Sequence, residues 1–232
     1  IKQMITQLKN LINKILFKLG YRISKTNNTN ELVKIYKYKD YEEYKETQIF
    51  YNKKKINHVW ADELTLGKVA NFITKNIKKD EIKGICHGSR NGFEQSFFNK
   101  NILNSSIIGT DISETATNYK NSVVWDFHKV KDEWVNYYDF VYSNSLDQSF
   151  DPKTALTSWI GQINKGGYII IEHTDQHSVL ASGKMDPFGV EPNFFPYLLS
   201  EWFGHMVSLK IIKSIKPNKS NAPVWLFVLK KL

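Results

Sequence analysis

Three acidic residues follow a glycine-bearing turn at intervals that suit a nucleoside. Residues 86–95 read Cys-His-Gly-Ser-Arg-Asn-Gly-Phe-Glu-Gln, directly after an apolar run of strand type. Without a Cβ, Gly88 and Gly92 let backbone approach a ligand closely at such a strand-to-helix turn. Asp111 ends the next apolar run, 23 residues past Gly88. In open α/β sheets ligands bind at the carboxyl ends of strands, and an acid about 20 residues after the glycines accepts from ribose hydroxyls. Asp126 ends the following run beside Phe127. An acid there can accept from an exocyclic amine while the ring lies against the base. Taken singly, each acid also fits a helix N-cap and the glycine pair an ordinary turn, because the full Gly-x-Gly-x-x-Gly fingerprint is absent.

Groups able to move a proton cluster farther along. Glu172-His173-Thr174-Asp175 and His177 follow the fifth apolar run, and Asp147 follows the fourth. His173 is the first choice as base, since an imidazole exchanges a proton near neutral pH; a loop-bonded histidine is the competing reading. Asp147, Glu172, His173 and Asp175 also form a set that a hard divalent cation would favour.

The elements that must hold these residues read as alternating strand and helix. Strands are expected near Ile82–Cys86, Ser106–Gly109, Ser122–Trp125, Phe140–Tyr142 and Tyr168–Ile171, then Val207–Ile215 and Val224–Leu229. A helix is expected over Asp62–Ile77, burying Leu64, Val69, Phe72 and Ile73. The alternation predicts an α/β fold: a Rossmann-like, seven-stranded, mostly parallel sheet with helices on both faces. The last two strands, joined by residues 216–221, read as a terminal antiparallel hairpin. Between Ser178 and Trp202, Pro187, Pro192 and Pro196 stiffen an insertion that reads as a lid, with Asp186, Glu191 and His205 available to a polyhydroxylated substrate.

Residues 82–172 resemble the nucleotide-binding half of class I S-adenosylmethionine-dependent methyltransferases. The glycine loop is similar to that family's motif I, Asp111 to its ribose acid and Asp126 to its adenine-side acid. Tyr138-Asp139-Phe140-Val141 followed by Asn144 resembles the strand-four motif, and Asn164-Lys165-Gly166-Gly167-Tyr168 the turn into strand five. The resemblance implies S-adenosylmethionine as cofactor. It places His87, Gly88, Ser89, Arg90, Gly92, Gln95, Asp111, Ile112, Asp126, Phe127 and Asn144 around that cofactor. Catalysis would then fall to His173, Glu172 and Asp147. Two positions depart from the pattern: Cys86 replaces an acid and Arg90 replaces a glycine. Arg90 or Gln95 is then left to meet the methionine carboxylate, with a structural ion pair as the alternative for Arg90.

The chain divides into residues 1–30, 31–58 and 59–232. The first part is a basic amphipathic helix over residues 1–19 with a polar linker; the second is an accessory region over the cleft, with Asp40 as a helix N-cap; the third is the methyltransferase-like domain. Six of the nine net positive charges precede Glu31. The main fold is therefore only mildly basic, which argues against nucleic acid as partner. Residues 9–20 resemble leaders of methyltransferases and glycosyltransferases of surface-polysaccharide assembly, implying a small or sugar-type hydroxyl acceptor. Residues 1–19 suit either an anionic membrane surface or self-association. The single cysteine, Cys86, excludes an internal disulfide, and no apolar run reaches the ~18 residues of a membrane span. A cytoplasmic enzyme, peripheral on the inner membrane surface if that helix binds lipid, is the expectation. A nicotinamide-dependent oxidoreductase and a non-catalytic binding scaffold are the competing classes.

Overall fold

The computed structural model describes residues 31–232, together with Leu8, Leu11, Ile12, Ile15 and Leu16 of the preceding segment. Those five are helical, and Leu8, Leu11 and Ile15 are exposed. The rest of the expected amino-terminal helix and its linker lie outside the described residues.

Period-two apolar alternation places seven strands in one sheet. These are β2 (Ile82–His87), β3 (Ser105–Asp111), β4 (Ser122–Val124), β5 (Tyr138–Ser143), β6 (Ile163–Thr174), β8 (Val207–Lys216) and β9 (Ala222–Lys231). Their order is β4-β3-β2-β5-β6-β9-β8. The pairings from β4 to β6 are parallel, while β9 runs antiparallel to both of its neighbours. The hairpin expected from residues 207–229 is present, and its second strand inserts beside β6.

Both faces are covered, as a parallel sheet requires. Val141, Ile169, Ile171, Phe227 and Leu229 pack on one face under α4 (Pro152–Gln162) and α5 (Phe195–Phe203). Their strand neighbours Phe140, Tyr142, Ile170, Leu226 and Val228 pack on the other under α2 (Glu63–Asn76) and α3 (Phe93–Asn101). Asp62 caps α2 by accepting from the Thr65 N–H at 2.9 Å, an interaction worth about 1 kcal/mol. Within α2, Leu66, Val69, Ala70 and Ile73 form the buried stripe. Leu64 lies one position out of that phase and is exposed, and Phe72 is only partly buried beside it.

A cap stands over the carboxyl ends of the strands. Asp40 starts α1 (Tyr41–Lys54), accepting from the Glu43 N–H at 2.9 Å. The short strand β1 (Val33–Ile35) pairs antiparallel with β7 (Phe188–Val190) from the proline-bearing insertion. The accessory region and the insertion thus form one unit, joined further by hydrogen bonds from Gln48 to the Met185 carbonyl and from Tyr38 to the Lys184 carbonyl. The buried face of α1 is mostly polar, with Thr47, Gln48 and Asn52 beside Tyr44. No helix among the described residues is long and apolar enough to cross a membrane.

Candidate functional site

The turn after β2 holds three left-handed residues: Gly88 at φ 71°, Arg90 at φ 35° and Gly92 at φ 77°. Arg90 is thus a side-chain-bearing residue in a conformation that favours glycine, which costs on the order of 1 kcal/mol. Its backbone N–H donates to Asp111 Oδ2 at 3.1 Å, and Ser113 N–H donates to Oδ1 at 2.9 Å. Burial raises the Asp111 pKa, while these donors and the Arg90 charge oppose it. One strand over, Asp126 Oδ1 accepts from the His128 N–H and faces His128 Nδ1 at 2.7 Å, and Oδ2 accepts from the Tyr41 hydroxyl at 2.6 Å. Burial alone would raise this carboxyl; the bonds from His128 and Tyr41 outweigh it and hold Asp126 at about 2.

Two connected cavities open from this edge. The smaller, about 30 Å³, lies between α1 and the strand ends and is lined by Gly88, Arg90, Asp111, Ile112, Asp126 and Phe127. Tyr44, Gln48 and Asn52 of α1 close it from above. The larger, about 470 Å³, shares Gly88, Arg90, Lys55 and Met185 with the first and continues past Ser89, Asn144 and Asp147. Its far wall carries Trp60, His177 and Asp186, and Glu94 lines it beside Asn144, whose amide donates to Glu94 Oε1 at 3.0 Å.

The buried carboxyls of the larger cavity and His177 are displaced toward their neutral forms. Burial pushes Glu94 and Asp147 up to about 7. Burial, and then the Asp147 charge, does the same to Asp186. Burial and the Lys216 charge push His177 down to about 3. Asp147 Oδ2 lies 3.7 Å from His177 Nε2, and Oδ1 is buried without a hydrogen-bond partner among the described residues. A carboxyl in the wall of a cleft that titrates near neutrality has the properties of a general base.

Of the sequence-predicted cofactor residues, Gly88, Ser89, Arg90, Asp111, Ile112, Asp126, Phe127 and Asn144 line the two cavities. His87, Gly92 and Gln95 line neither. The His87 ring is in the core, bonded to Thr110 and Gln162 and stacked on Trp159. Gly92 is the N-cap of α3, and Gln95 donates to Ser122 Oγ at 2.8 Å.

Two of the three expected catalytic residues also belong to the interior. β6 runs three residues beyond the expected Ile171 and pairs Glu172, His173 and Thr174 with β9. Glu172 therefore points into a buried network, 2.6 Å from Lys216 Nζ and accepting from the Tyr142 hydroxyl at 2.7 Å. His173 faces the opposite side, bonded to the Val190 carbonyl at 3.1 Å with Phe195 and Phe227 around its ring. Burial holds its pKa well below the usual imidazole range. Only Asp147 of the three lines the cavity. The four-residue cation set is split accordingly, and no group of three or more such side chains among the described residues is arranged to hold a metal. Asp186 of the insertion reaches the cavity, whereas His205 is exposed before β8 and Glu191 Oε1 accepts from the Val179 N–H. Trp60 and Glu94 lacked a sequence signal: each is an ordinary residue until β8 and β5 are placed beside it.

No family model and no curated protein matches the sequence. Solved structures do match by shape. One is the Burkholderia thailandensis 1,6-didemethyltoxoflavin-N1-methyltransferase with its substrate and S-adenosylhomocysteine bound, at a TM-score of 0.63 and 11% identity over 84% of this chain and 92% of that one. The plantazolicin methyltransferase BpumL, with a substrate analogue and S-adenosylhomocysteine, gives 0.61 and 12% over 82% and 98%. The N-methyltransferase NodS from Bradyrhizobium japonicum WM9, with S-adenosylhomocysteine, gives 0.57 and 9% over 80% and 98%. The strand order, the inserted antiparallel β9 and these likenesses together identify the fold of this chain as that of the Rossmann-like methyltransferases.

Proposed function

We propose that the chain is an S-adenosylmethionine-dependent methyltransferase acting on a hydroxyl of a small, sugar-type acceptor in glycan or surface-polysaccharide assembly, on the cytoplasmic side. The observation that carries this reading is that the cavity lined by the strand-end carboxylates Asp111 and Asp126 adjoins one of about 470 Å³ whose wall holds Asp147, the two sharing Gly88 and Arg90. The basic amphipathic pattern of residues 1–19 supports attachment to an anionic lipid surface or to a second copy of the chain.

The residues present suit the cofactor's chemistry. An ionised carboxylate offers about four acceptor sites, so Asp111, with one backbone donor on each oxygen, retains capacity for ribose hydroxyls. Asp126 and Phe127 offer an acceptor and an apolar ring to the base. Arg90 offers charge to a carboxylate, and the left-handed Gly88 brings backbone to the junction of the two cavities. S-adenosylmethionine supplies a methyl group on a sulfonium, which leaves behind a neutral thioether. The Asp147 carboxylate takes the proton from the acceptor hydroxyl, and Trp60 and His177 wall the space in which that hydroxyl is held. The 30 Å³ space between α1 and the strand ends is too small for a nucleoside, so α1 has to move outward for the adenosyl group to enter.

Isothermal titration with S-adenosylhomocysteine and with NAD, followed by transfer of a labelled methyl group to a panel of sugars, tests the reading. Asp111→Ala is expected to weaken S-adenosylhomocysteine at least 100-fold while leaving the circular dichroism unchanged. Unaltered affinity would show that the ribose lies elsewhere, and NAD binding in place of S-adenosylhomocysteine would reassign the chain to the oxidoreductases.

A further inference from the structure

The larger cavity is polarised in charge. Glu94 and Asp147 are buried in its wall, while Lys54, Lys55, His58 and Arg90 line its more exposed side. A further cation, Lys219, stands 5.2 Å from the centre of the Trp60 ring. The ion pairs among the described residues engage Lys45, Lys53, Lys79, Lys131, Lys184 and Lys216, with His128 and His177, and none engages Lys54, Lys55, Arg90 or Lys219. Instead Lys54 and Lys55 lie against the rings of Phe50 and Tyr51, and the Arg90 guanidinium donates to the His58 carbonyl at 2.9 Å. The group repels itself: partial burial, then the charges of Lys219, Arg90 and Lys55, hold the His58 pKa below its ordinary value. Lys54 and Lys55 also complement the negative end of α1, but His58, Arg90 and Lys219 belong to other elements, so that benefit does not account for the cluster. The left-handed conformation of Arg90 adds a further cost that its side chain has to justify.

We propose that this mouth binds a phosphoryl group carried by the acceptor, so that the substrate is a phosphorylated polyhydroxy compound with its anion at Lys54, Lys55, His58 and Arg90 and its hydroxyl at Asp147. A phosphoryl group brings up to two charges and three acceptor oxygens, which matches donors converging from several elements better than a single carboxylate does. The cofactor's own carboxylate would share Arg90 with the phosphoryl group, while the two lysines and His58 serve the substrate alone. The hydroxyl end of this proposal rests on the methyltransferase reading; the anion end does not.

Titration of pyrophosphate and of inorganic phosphate into the full chain, with and without S-adenosylhomocysteine, decides it. Saturable binding is expected in both conditions, weakened at least 10-fold by the double change Lys54→Gln and His58→Gln, neither of which lines the smaller cavity, with S-adenosylhomocysteine affinity held within two-fold. Tighter phosphate points to a monoester and tighter pyrophosphate to a diphosphate linkage, each in support. In NMR titrations the His58 pKa is expected to rise on binding, as an anion relieves the repulsion. Lys75→Gln, on the exposed end of α2, serves as the control; an equal loss there shows general charge attraction and overturns the proposal. So does an absence of saturable binding, or competition between pyrophosphate and S-adenosylhomocysteine. Should the double variant fail to fold, the exposed Lys54→Gln carries the same comparison. Failure of S-adenosylhomocysteine to bind would count against the methyltransferase reading alone.

Discussion

Replacing Asp147 with asparagine separates what this residue does for chemistry from what it costs the fold. Burial pushes its carboxyl up to about 7, against about 3.9 in an unfolded chain. A folded state that holds a proton more tightly than the unfolded one loses stability as pH rises. Below about pH 4 both states are protonated and nothing is lost. Between about 4 and 7 the unfolded state ionises first and the penalty grows, and above about 7 it stands in full. A displacement of about three pH units, at ~1.4 kcal/mol each, sets an upper value of ~4 kcal/mol, and water reaching the cavity brings the working range to about 2–4 kcal/mol. The amide carries no charge at any pH, so D147N is expected to melt about 5–10 °C above the native chain at pH 9. The two chains should coincide near pH 4. Over the same change, methyl transfer is expected to fall by about 10²–10⁴. Calorimetry at both pH values, paired with a labelled-methyl assay, gives the answer. A D147N chain less stable at pH 9 would show that the carboxylate serves the fold as an anion, and a gap independent of pH would show that its pKa is not displaced; in either case the proton-acceptor role would fall.

Two further outcomes follow from the geometry. Tyr41→Phe removes the hydroxyl that occupies Asp126 Oδ2 in the closed arrangement; a part-buried bond to a charged group is worth about 1 kcal/mol here, so S-adenosylhomocysteine affinity is expected to improve about five-fold, and an unchanged titration would mean that α1 need not open. Lys216→Met strips the counter-charge from the buried Glu172 and Asp62, and urea unfolding is expected to show a loss of about 3–5 kcal/mol. Pairing that change with Glu172→Gln should restore part of it; no restoration would show that packing rather than charge is at stake.

The sheet was legible in the sequence because each strand is a short apolar run with alternating faces, and Asp40 and Asp62 announce their helices by standing one residue before them. The end of β6 was not legible. Glu-His-Thr after an apolar run looks like the start of a loop, yet antiparallel pairing with residues 224–226 keeps it in the sheet. A polar strand end covered on both faces has no local signature. The β1–β7 pairing joins positions more than 150 residues apart, beyond anything periodicity conveys. At the site, Gly88, Asp111 and Asp126 could be read because strand ends dictate where they go. Trp60 and Glu94 could not, since the wall they share with His177 exists only once α2, α3 and β6 have packed. Arg90 lies between: the sequence marks it as a glycine replacement, and only the backbone angle reveals the strain.

The placement of β9 between β6 and β8 has a consequence for how the protein is made. Ten residues near the carboxyl end of the chain fill a gap between strands completed earlier, pairing seven positions with β6 and ten with β8. A nascent chain emerging at about 5–20 residues per second exposes two unpaired strand borders until that stretch leaves the ribosome. Such borders invite pairing with other chains. Lys216, which anchors the Trp60 backbone and the buried carboxylates, is set only when the gap closes. The cavity wall at Trp60 therefore reaches its final form only after β9 is in place.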